Sequence, residues 1–102
     1  MNLTAVERDG VLFLLLEGEL DEHGAGELRR AADDKIDEYA AVEKAVFDLS
    51  KVSFMDSTGI GFLIGRYKKL RRYGISSYIG KVNAETEKIL SLSGVYSLIP
   101  KL

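Results

Sequence analysis

The sequence contains no cysteine and no tryptophan, and it has only one proline and one histidine among 102 residues. Without cysteine the chain has no disulfide framework, no thiolate zinc site and no cysteine nucleophile, and this composition is typical of a cytoplasmic protein. Its longest apolar run, residues 11–16, is far shorter than the roughly 18 residues that a membrane-spanning helix needs. No basic segment followed by an apolar one opens the chain, so we expect no secretory signal.

The length predicts a single domain over residues 1–102, because a chain of this size can bury one modest core. The sequence shows no linker composition and no internal repeat. Its net charge is −2, but residues 1–56 carry 14 acidic and 6 basic side chains, whereas residues 57–102 carry 2 acidic and 8 basic ones. Either the two halves form a charged recognition face, or they interleave in the fold and leave no patch.

The apolar pattern predicts an α/β domain with the element order ββαβαβαβ. Strands at 3–8 and 11–16 flank the turn signal Asp9-Gly10 and form a hairpin, and the continuous apolar run indicates that the second strand is buried on both faces. The remaining elements are a helix at 25–39, a strand at 44–49, a helix from about residue 57 to 73, a strand at 75–79, a helix at 83–92 and a strand at 96–99. This order favours a mixed β-sheet with parallel βαβ crossovers packed by helices.

Residues 51–74 are the most strongly patterned segment, and the polar sequence Asp56-Ser57-Thr58-Gly59 lies at its centre. Apolar residues recur at helical spacing along one face after it, namely Ile60, Leu63, Ile64, Tyr67 and Leu70. Ser57 therefore lies at or just before a helix start, where it either caps free backbone N–H groups or offers its hydroxyl to another protein. Asp21 and Ser57 both follow strands at the edge of the sheet where partner and ligand surfaces commonly lie.

Ser57 lacks the surroundings of a catalytic nucleophile, which needs a base and an oxyanion hole. The only histidine, His23, lies in another loop, and Met55 occupies the position of the first glycine in the G-x-S-x-G pattern. We therefore expect no enzymatic activity, and with one histidine and no cysteine we expect no transition-metal site. Asp21, a candidate helix cap, and Asp56 are interpreted as residues that cap or brace their turns.

Three glycines follow Ser57 in a spacing that superficially resembles a dinucleotide-binding loop, but Gly61 and Gly65 fall inside the predicted helix rather than at its start. A glycine there costs about 1 kcal/mol relative to alanine. The two glycines therefore indicate either tight packing against the sheet or a smooth patch for a partner. The basic run at 66–72 is interpreted as a solvated helix end rather than a nucleic-acid site.

Three stretches carry a resemblance to a known family: LLEGELD at 15–21, VFDL at 46–49 and VSFMDSTGIGFLIGRYK at 52–68. On these residues the chain resembles the anti-sigma factor antagonists of the STAS domain class, and most closely those of the sporulation type. The resemblance implies the STAS fold, a mixed sheet packed by helices, and a regulatory protein rather than an enzyme.

The resemblance also implies a switching mechanism. The unmodified protein binds an anti-sigma factor that is itself a serine kinase with a GHKL-type ATPase fold, and this frees the sigma factor. The kinase phosphorylates Ser57, the complex dissociates, and a metal-dependent PP2C-type phosphatase resets the protein. The kinase supplies ATP and Mg²⁺, so no cofactor of the chain itself, no direct nucleic-acid contact and no membrane contact are expected.

The site residues implied by the resemblance lie in two loops and in the following helix. Ser57 is the phosphoacceptor, and Asp56, Thr58 and Gly59 complete its turn. The other predicted partner contacts are Asp21, Glu22, His23, Gly61, Gly65 and Arg66. Thr58 stands where many members have serine, and members commonly continue beyond the position of Leu102 into a further helix.

Two alternatives remain open. Sporulation is the first choice of pathway, and a general stress or other sigma circuit is the second. The chain could also be a STAS domain of another kind, which senses a small molecule or serves as a scaffold in a larger signalling complex. Nucleotide binding, or failure to bind any kinase of this type, would favour that alternative.

Overall fold

The structure, a computed structural model, describes residues 2–102, in which three α-helices pack on a four-stranded sheet. The strands are β1 (Asn2–Arg8), β2 (Val11–Leu20), β3 (Lys44–Met55) and β4 (Ser76–Val82), and the helices are α1 (Ala25–Glu38), α2 (Ser57–Arg72) and α3 (Ala84–Ser93). The spatial order is β1-β2-β3-β4, with β1 antiparallel to β2 and the other pairs parallel. The predicted mixed sheet with parallel βαβ crossovers is confirmed.

All three helices lie on the same face of the sheet. Each parallel connection moves one position in the same direction, and right-handed crossovers then place their helices on one side. Leu14 of β2, Phe47 of β3 and Ile79 of β4 point to that side and are fully buried. The helices contribute a matching set of core residues: Leu28, Ala32, Ile36, Phe62, Leu63, Leu70 and Leu90. One core between sheet and helices therefore holds the domain together.

β2 is not buried on both faces, as its apolar run predicted. The three residues that face the helices are buried, Leu12, Leu14 and Leu16. On the other face Val11, Phe13 and Leu15 are only partly buried, because no helix of residues 2–102 crosses that face. The prediction of two-sided burial is therefore wrong for the single chain.

β3 extends well beyond the predicted strand at 44–49. Leu15 of β2 pairs with Asp48 while Glu17 pairs with Lys51, so β3 contains an extra residue at this point. Asp48 Oδ1 accepts hydrogen bonds from the Ser50 backbone N–H (3.0 Å) and hydroxyl (2.7 Å) at this irregularity. Beyond it β3 continues to Met55, which lies opposite Leu20, the last residue of β2.

Residues 96–99 do not form the predicted last strand. Val95–Ser97 instead form a 3₁₀ turn, and the buried residues Val95 and Ile99 are four apart, a helical rather than a strand spacing. Residues 100–102, which follow the turn, form hydrogen bonds with the edge of β4. The Ile79 N–H donates to the Pro100 carbonyl (2.9 Å), and the Leu102 N–H donates to the Ile79 carbonyl (2.9 Å).

The predicted end of α2 near residue 73 and the predicted start of α3 near residue 83 are each confirmed to within one residue. α2 ends at Arg72 and is followed by Tyr73 and by Gly74, whose φ of +76° is a conformation that favours glycine. Asn83 is the N-cap of α3, since its Oδ1 accepts from the Thr86 N–H at 2.9 Å. Its side-chain amide also donates to the Val52 carbonyl (2.7 Å), which ties α3 to β3.

Candidate functional site

The carboxyl ends of β2 and β3 meet at one edge of the sheet, and an aspartate follows each of them. Leu20 lies opposite Met55, so Asp21 and Asp56 begin two neighbouring loops. The two loops leave the sheet side by side, as the parallel arrangement predicts. The candidate site is built from these loops and from the first turns of α2.

Asp56, rather than Ser57, is the N-cap of α2. Its backbone is extended, and its Oδ1 accepts hydrogen bonds from the backbone N–H groups of Thr58 (2.9 Å) and Gly59 (3.3 Å). Ser57 is the first helical residue and is exposed. Of the two possibilities for Ser57 the cap is excluded, and the interpretation of Asp56 as a residue that caps its turn is confirmed. The structure places the Ser57 hydroxyl on the surface at the start of α2.

Asp21 braces its loop but does not cap α1, whose N-cap is Gly24. Its Oδ1 accepts from the backbone N–H groups of His23 (3.0 Å) and Gly24 (3.1 Å). The Gly24 bond, with a smaller contribution from His23, holds the pKa of the Asp21 carboxyl below its ordinary value. Glu22 and His23 are exposed at the tip of this loop, with His23 Nδ1 4.0 Å from the Asp21 carboxylate.

Gly59 is buried where α2 meets the two strand ends. A Cβ atom at this position would lie 2.5 Å from Met55 Cγ and 2.6 Å from the Leu20 carbonyl oxygen. Only glycine lets the first turn of α2 approach both strands this closely. The structure thus gives Gly59 a packing role within the domain, and its contact with a partner stays a prediction.

Gly61 and Gly65 do not pack against the sheet. A Cβ atom on either would meet nothing within 4 Å; Gly61 is exposed, and Gly65 is partly buried. Tight packing is therefore excluded as the reason for these two glycines. Residues four apart share a helix face, so Ser57, Gly61 and Gly65 line one stripe of α2. We call these three residues the glycine stripe; it exposes helix backbone beside the Ser57 hydroxyl.

Arg66 is only 7% exposed and joins α1 to α2. Its Nε lies 2.7 Å from Asp33 Oδ1, although the two atoms are poorly aligned for a hydrogen bond, and its guanidinium lies 5.1 Å from the centre of the Phe62 ring. Burial lowers the Arg66 pKa, and the charge of Asp33 opposes that change. This burial leaves little of Arg66 for a partner to touch, so the predicted partner contact has no support from its position.

The acidic and basic halves of the sequence interleave where α1 packs on α2. Besides Arg66 with Asp33, Lys69 Nζ lies 3.0 Å from Asp37 Oδ1. The site edge nevertheless carries a concentration of acidic side chains, which we call the acidic rim: Glu19, Asp21, Glu22 and Asp56. The other end of α2 carries the exposed cations Lys68, Arg71 and Arg72. The two halves of the sequence therefore interleave between α1 and α2, and they also leave a charged patch at each end of α2.

One residue at this edge was missed by the sequence-based reasoning. Phe54 is 50% exposed and lies two residues before Asp56, at the end of β3. A large exposed apolar side chain beside a polar turn is a common feature of surfaces that bind other proteins. The sequence shows a phenylalanine directly before Met55. It does not show which of the two side chains faces solvent at the end of the strand.

The arrangement offers one exposed hydroxyl at a helix start, flanked by bare helix backbone, the acidic rim and an exposed aromatic ring. Within residues 2–102 no three His, Cys, Asp or Glu side chains come together as a metal site. No helix in that part of the chain is long and apolar enough to cross a membrane. The exposed Ser57 hydroxyl and Phe54 ring give the site a surface that another protein can bind or modify.

Comparison with known proteins identifies related proteins. Residues 2–102 match the STAS domain family. An anti-sigma F factor antagonist from Paenibacillus polymyxa is 35% identical over 91 residues, which make up 89% of this chain and 77% of that protein. An anti-sigma-B factor antagonist from Listeria monocytogenes is 27% identical over 88 residues, or 84% of this chain and 74% of that protein.

Solved structures show the same fold. The anti-sigma factor antagonist SpoIIAA in its unphosphorylated form superposes with a TM-score of 0.79 at 22% identity, covering 99% of this chain and 88% of that one. The phosphorylated form of SpoIIAA, a Bacillus cell fate determinant, gives a TM-score of 0.70 at 22% identity, with 99% and 91% covered. Together with the family match and the Paenibacillus relative, these likenesses show that the chain belongs to the STAS domain family.

Proposed function

We propose that this chain is an anti-sigma factor antagonist whose binding is switched off by phosphorylation of Ser57. The observation that carries the proposal is the exposed Ser57 hydroxyl at the first position of α2, on a turn fixed by the Asp56 cap and the buried Gly59. The two relatives are antagonists of anti-sigma F and anti-sigma-B factors, which supports the same role here.

In the unphosphorylated state the glycine stripe and the two loops bind an anti-sigma factor that is a serine kinase of the GHKL-type ATPase fold. Gly61 and Gly65 allow the partner to approach the helix backbone, and Phe54 provides an apolar contact at the same edge. Binding competes with the sigma factor and releases it for transcription. We expect this to take place in the cytoplasm, with sporulation as the first choice of pathway and general stress as the second.

The kinase supplies ATP and Mg²⁺, so this chain needs to contribute only the acceptor hydroxyl. Ser57 is exposed, whereas the neighbouring Thr58 is partly buried. Phosphate transfer to Ser57 is therefore favoured over transfer to Thr58. A PP2C-type phosphatase then returns the protein to its binding state.

The position of Ser57 accounts for a switch that leaves the fold intact. A phosphate adds about −1.5 to −2 charges, which a helix N-terminus can tolerate locally. Asp56 already accepts from two N–H groups of the first turn, and the acidic rim repels additional negative charge. The phosphate therefore stays at the surface, where a partner that covers the glycine stripe must desolvate it. Each 1.4 kcal/mol lost in this way weakens the complex about tenfold.

Mass spectrometry and co-elution test the proposal on mixtures of the protein, the candidate kinase and Mg·ATP. The wild-type protein is expected to gain one phosphate on Ser57 and to leave the complex. Ser57→Ala is expected to stay bound and unmodified, Ser57→Asp to fail to bind, and the control Thr58→Val to behave like wild type. Phosphate elsewhere, or equal binding by all four proteins, would favour the ligand-sensing or scaffold STAS domain instead.

A further inference from the structure

The sheet face opposite the helices carries an apolar row that crosses all four strands. In the strand register Val6 lies opposite Phe13, Phe13 opposite Val46, and Val46 opposite Tyr78. Val6 is 39% exposed, Phe13 and Tyr78 are partly buried, and Val46 at the centre is already buried by its neighbours, with 6% of its surface exposed. We call these four residues the apolar row; no helix of residues 2–102 covers it.

An uncovered apolar face is unusual on a sheet with parallel strands. Parallel sheets are almost always covered on both sides, and their strands then read as continuous apolar runs. β2 has such a run, since residues 11–16 are all apolar, yet the structure buries only the alternate residues that face the helices. The sequence of β2 thus matches two-sided burial, and the helices of residues 2–102 cover one side.

Charges flank the apolar row in a self-complementary way. Lys44 and Asp48 lie two residues before and two residues after Val46, so all three point to the same face of β3. In the part of the chain that the structure describes, neither Lys44 nor Asp48 pairs with an opposite charge. Asp48 Oδ1 bonds locally to Ser50, which fixes the carboxylate beside the row.

We propose that a second copy of this chain covers this face and forms a dimer whose two-fold axis runs along the apolar row. Rotation about that axis places the row of one copy on the row of the other. It also brings Lys44 of each copy opposite Asp48 of the other, which gives two equivalent ion pairs, and Val11 opposite Leu15. These two ion pairs are enough to make the β3 charges of one copy complementary to those of the other.

The expected dimer is weak. Four strands about 4.8 Å apart and about six residues of about 3.3 Å each give a footprint of roughly 400 Å² per copy. This is about half the roughly 800 Å² that each partner buries in a standard stable interface. We therefore expect a dimer that forms at micromolar or higher concentration. Ser57 lies at the edge of the sheet rather than on this face, so the inference does not depend on the proposed function.

Charge reversal tests the symmetry directly, by sedimentation velocity over a series of protein concentrations. Lys44→Glu and Asp48→Lys each turn both ion pairs into like-charge pairs, and each is expected to raise the dimer dissociation constant about tenfold or more. An equimolar mixture of the two variants restores both pairs and is expected to dimerise at least as well as wild type. Lys88→Glu on the exposed side of α3 makes the same charge change away from the face and is expected to have no effect.

Val6→Lys provides an independent test, since this exposed edge residue can change without disturbing the core and would place two charges on the axis. It is expected to abolish the dimer, while circular dichroism shows that each variant is folded. A wild-type protein that stays monomeric up to about millimolar concentration would overturn the inference. So would a dimer that the charge reversals do not weaken, or a mixture that fails to recover.

Discussion

Asp21 and Asp56 make the same local hydrogen bonds, but a loop follows Asp21 and a helix follows Asp56. Each follows directly after a parallel strand, and each uses Oδ1 to accept from the backbone N–H groups two and three residues later. After Asp56 the helix begins at once, with Ser57 as its first residue. After Asp21 the chain makes an exposed turn, and α1 begins only at Ala25.

The difference lies in what packs behind the turn. Gly59 lets the first turn of α2 press against Met55 and the Leu20 carbonyl. The Asp21 loop has no such contact at Glu22 and His23, which are exposed. An aspartate that accepts two N–H bonds is therefore enough to shape a turn. A rigidly placed Ser57 hydroxyl also needs the close packing of Gly59.

The largest expected effect comes from removing that packing. Gly59→Ala would place a methyl group within 2.6 Å of the Leu20 carbonyl oxygen, so α2 must move away from the strand ends. We expect the free energy of unfolding to fall by about 3 kcal/mol, measured by urea denaturation. Gly26→Ala in α1, where a Cβ meets nothing within 4 Å, is the control. Equal stability of Gly59→Ala and wild type would show that Gly59 does not hold the turn.

The second prediction removes each aspartate in turn. Asp56→Ala should destabilise the protein by about 1 kcal/mol, because α2 loses its N-cap, and it should also slow phosphorylation of Ser57. Asp21→Ala should have a smaller effect, because it loosens an exposed loop rather than a helix start. Asp56→Asn keeps an oxygen acceptor and should retain most of the stability. Thermal melts of the four proteins check this order, and an equal loss for the two alanine variants would break the comparison.

The third prediction separates stability from binding on the glycine stripe. Gly61→Ala should stabilise the fold by up to about 1 kcal/mol, since alanine is the better helix former and the space is open. Gly61→Gln should remain folded but bind the candidate kinase more weakly, because its side chain covers the backbone beside Ser57. Calorimetric titration measures this binding. Unchanged affinity for Gly61→Gln would remove the stripe from the proposed partner surface.

The smallest expected effect is the pH dependence contributed by Asp21. Its pKa in the folded protein is lowered from the ordinary value of 3.8, chiefly by the Gly24 N–H, so the charged carboxylate favours the folded state. The contribution is fully present above the unfolded pKa and disappears as the pH falls through the lower folded pKa. Between about pH 5 and pH 2, Asp21→Asn should therefore lose less stability than wild type. Urea midpoints across that range measure the difference, and identical curves would contradict it.

Much of the fold could be predicted because local chemistry and packing agree. The Asp9-Gly10 turn, the glycine after α2 and the Asn83 cap each satisfy a local backbone requirement that the sequence shows directly. The prediction of a strand at 96–99 was wrong, because these residues have β-forming side chains but begin in a 3₁₀ turn that buries Val95 and Ile99. The end of β3 was missed because an extra residue interrupts its alternation after Asp48.

The site was predicted in its location but not in its detail. Aspartate and serine are both good caps, so the adjacent pair Asp56 and Ser57 left the cap ambiguous until hydrogen-bond geometry assigned it to Asp56. Gly59 was predicted only as part of the Ser57 turn and the partner surface, because its close approach to Leu20 depends on strand register. The ion pair between Arg66 and Asp33 could not be predicted either, since it depends on how α1 packs on α2 and 33 residues separate the two along the chain.

The central claim is that a phosphate on Ser57 abolishes partner binding while the fold stays intact. The most direct test measures the affinity of the unmodified and the Ser57-phosphorylated protein for the candidate anti-sigma kinase, together with an amide-resolved NMR spectrum of each form. We expect affinity to fall at least about 100-fold, which corresponds to about 2.7 kcal/mol, with spectral changes confined to the Asp21 loop and the start of α2. Equal affinity of the two forms, or a phosphorylated protein that has lost its core signals, would contradict the claim.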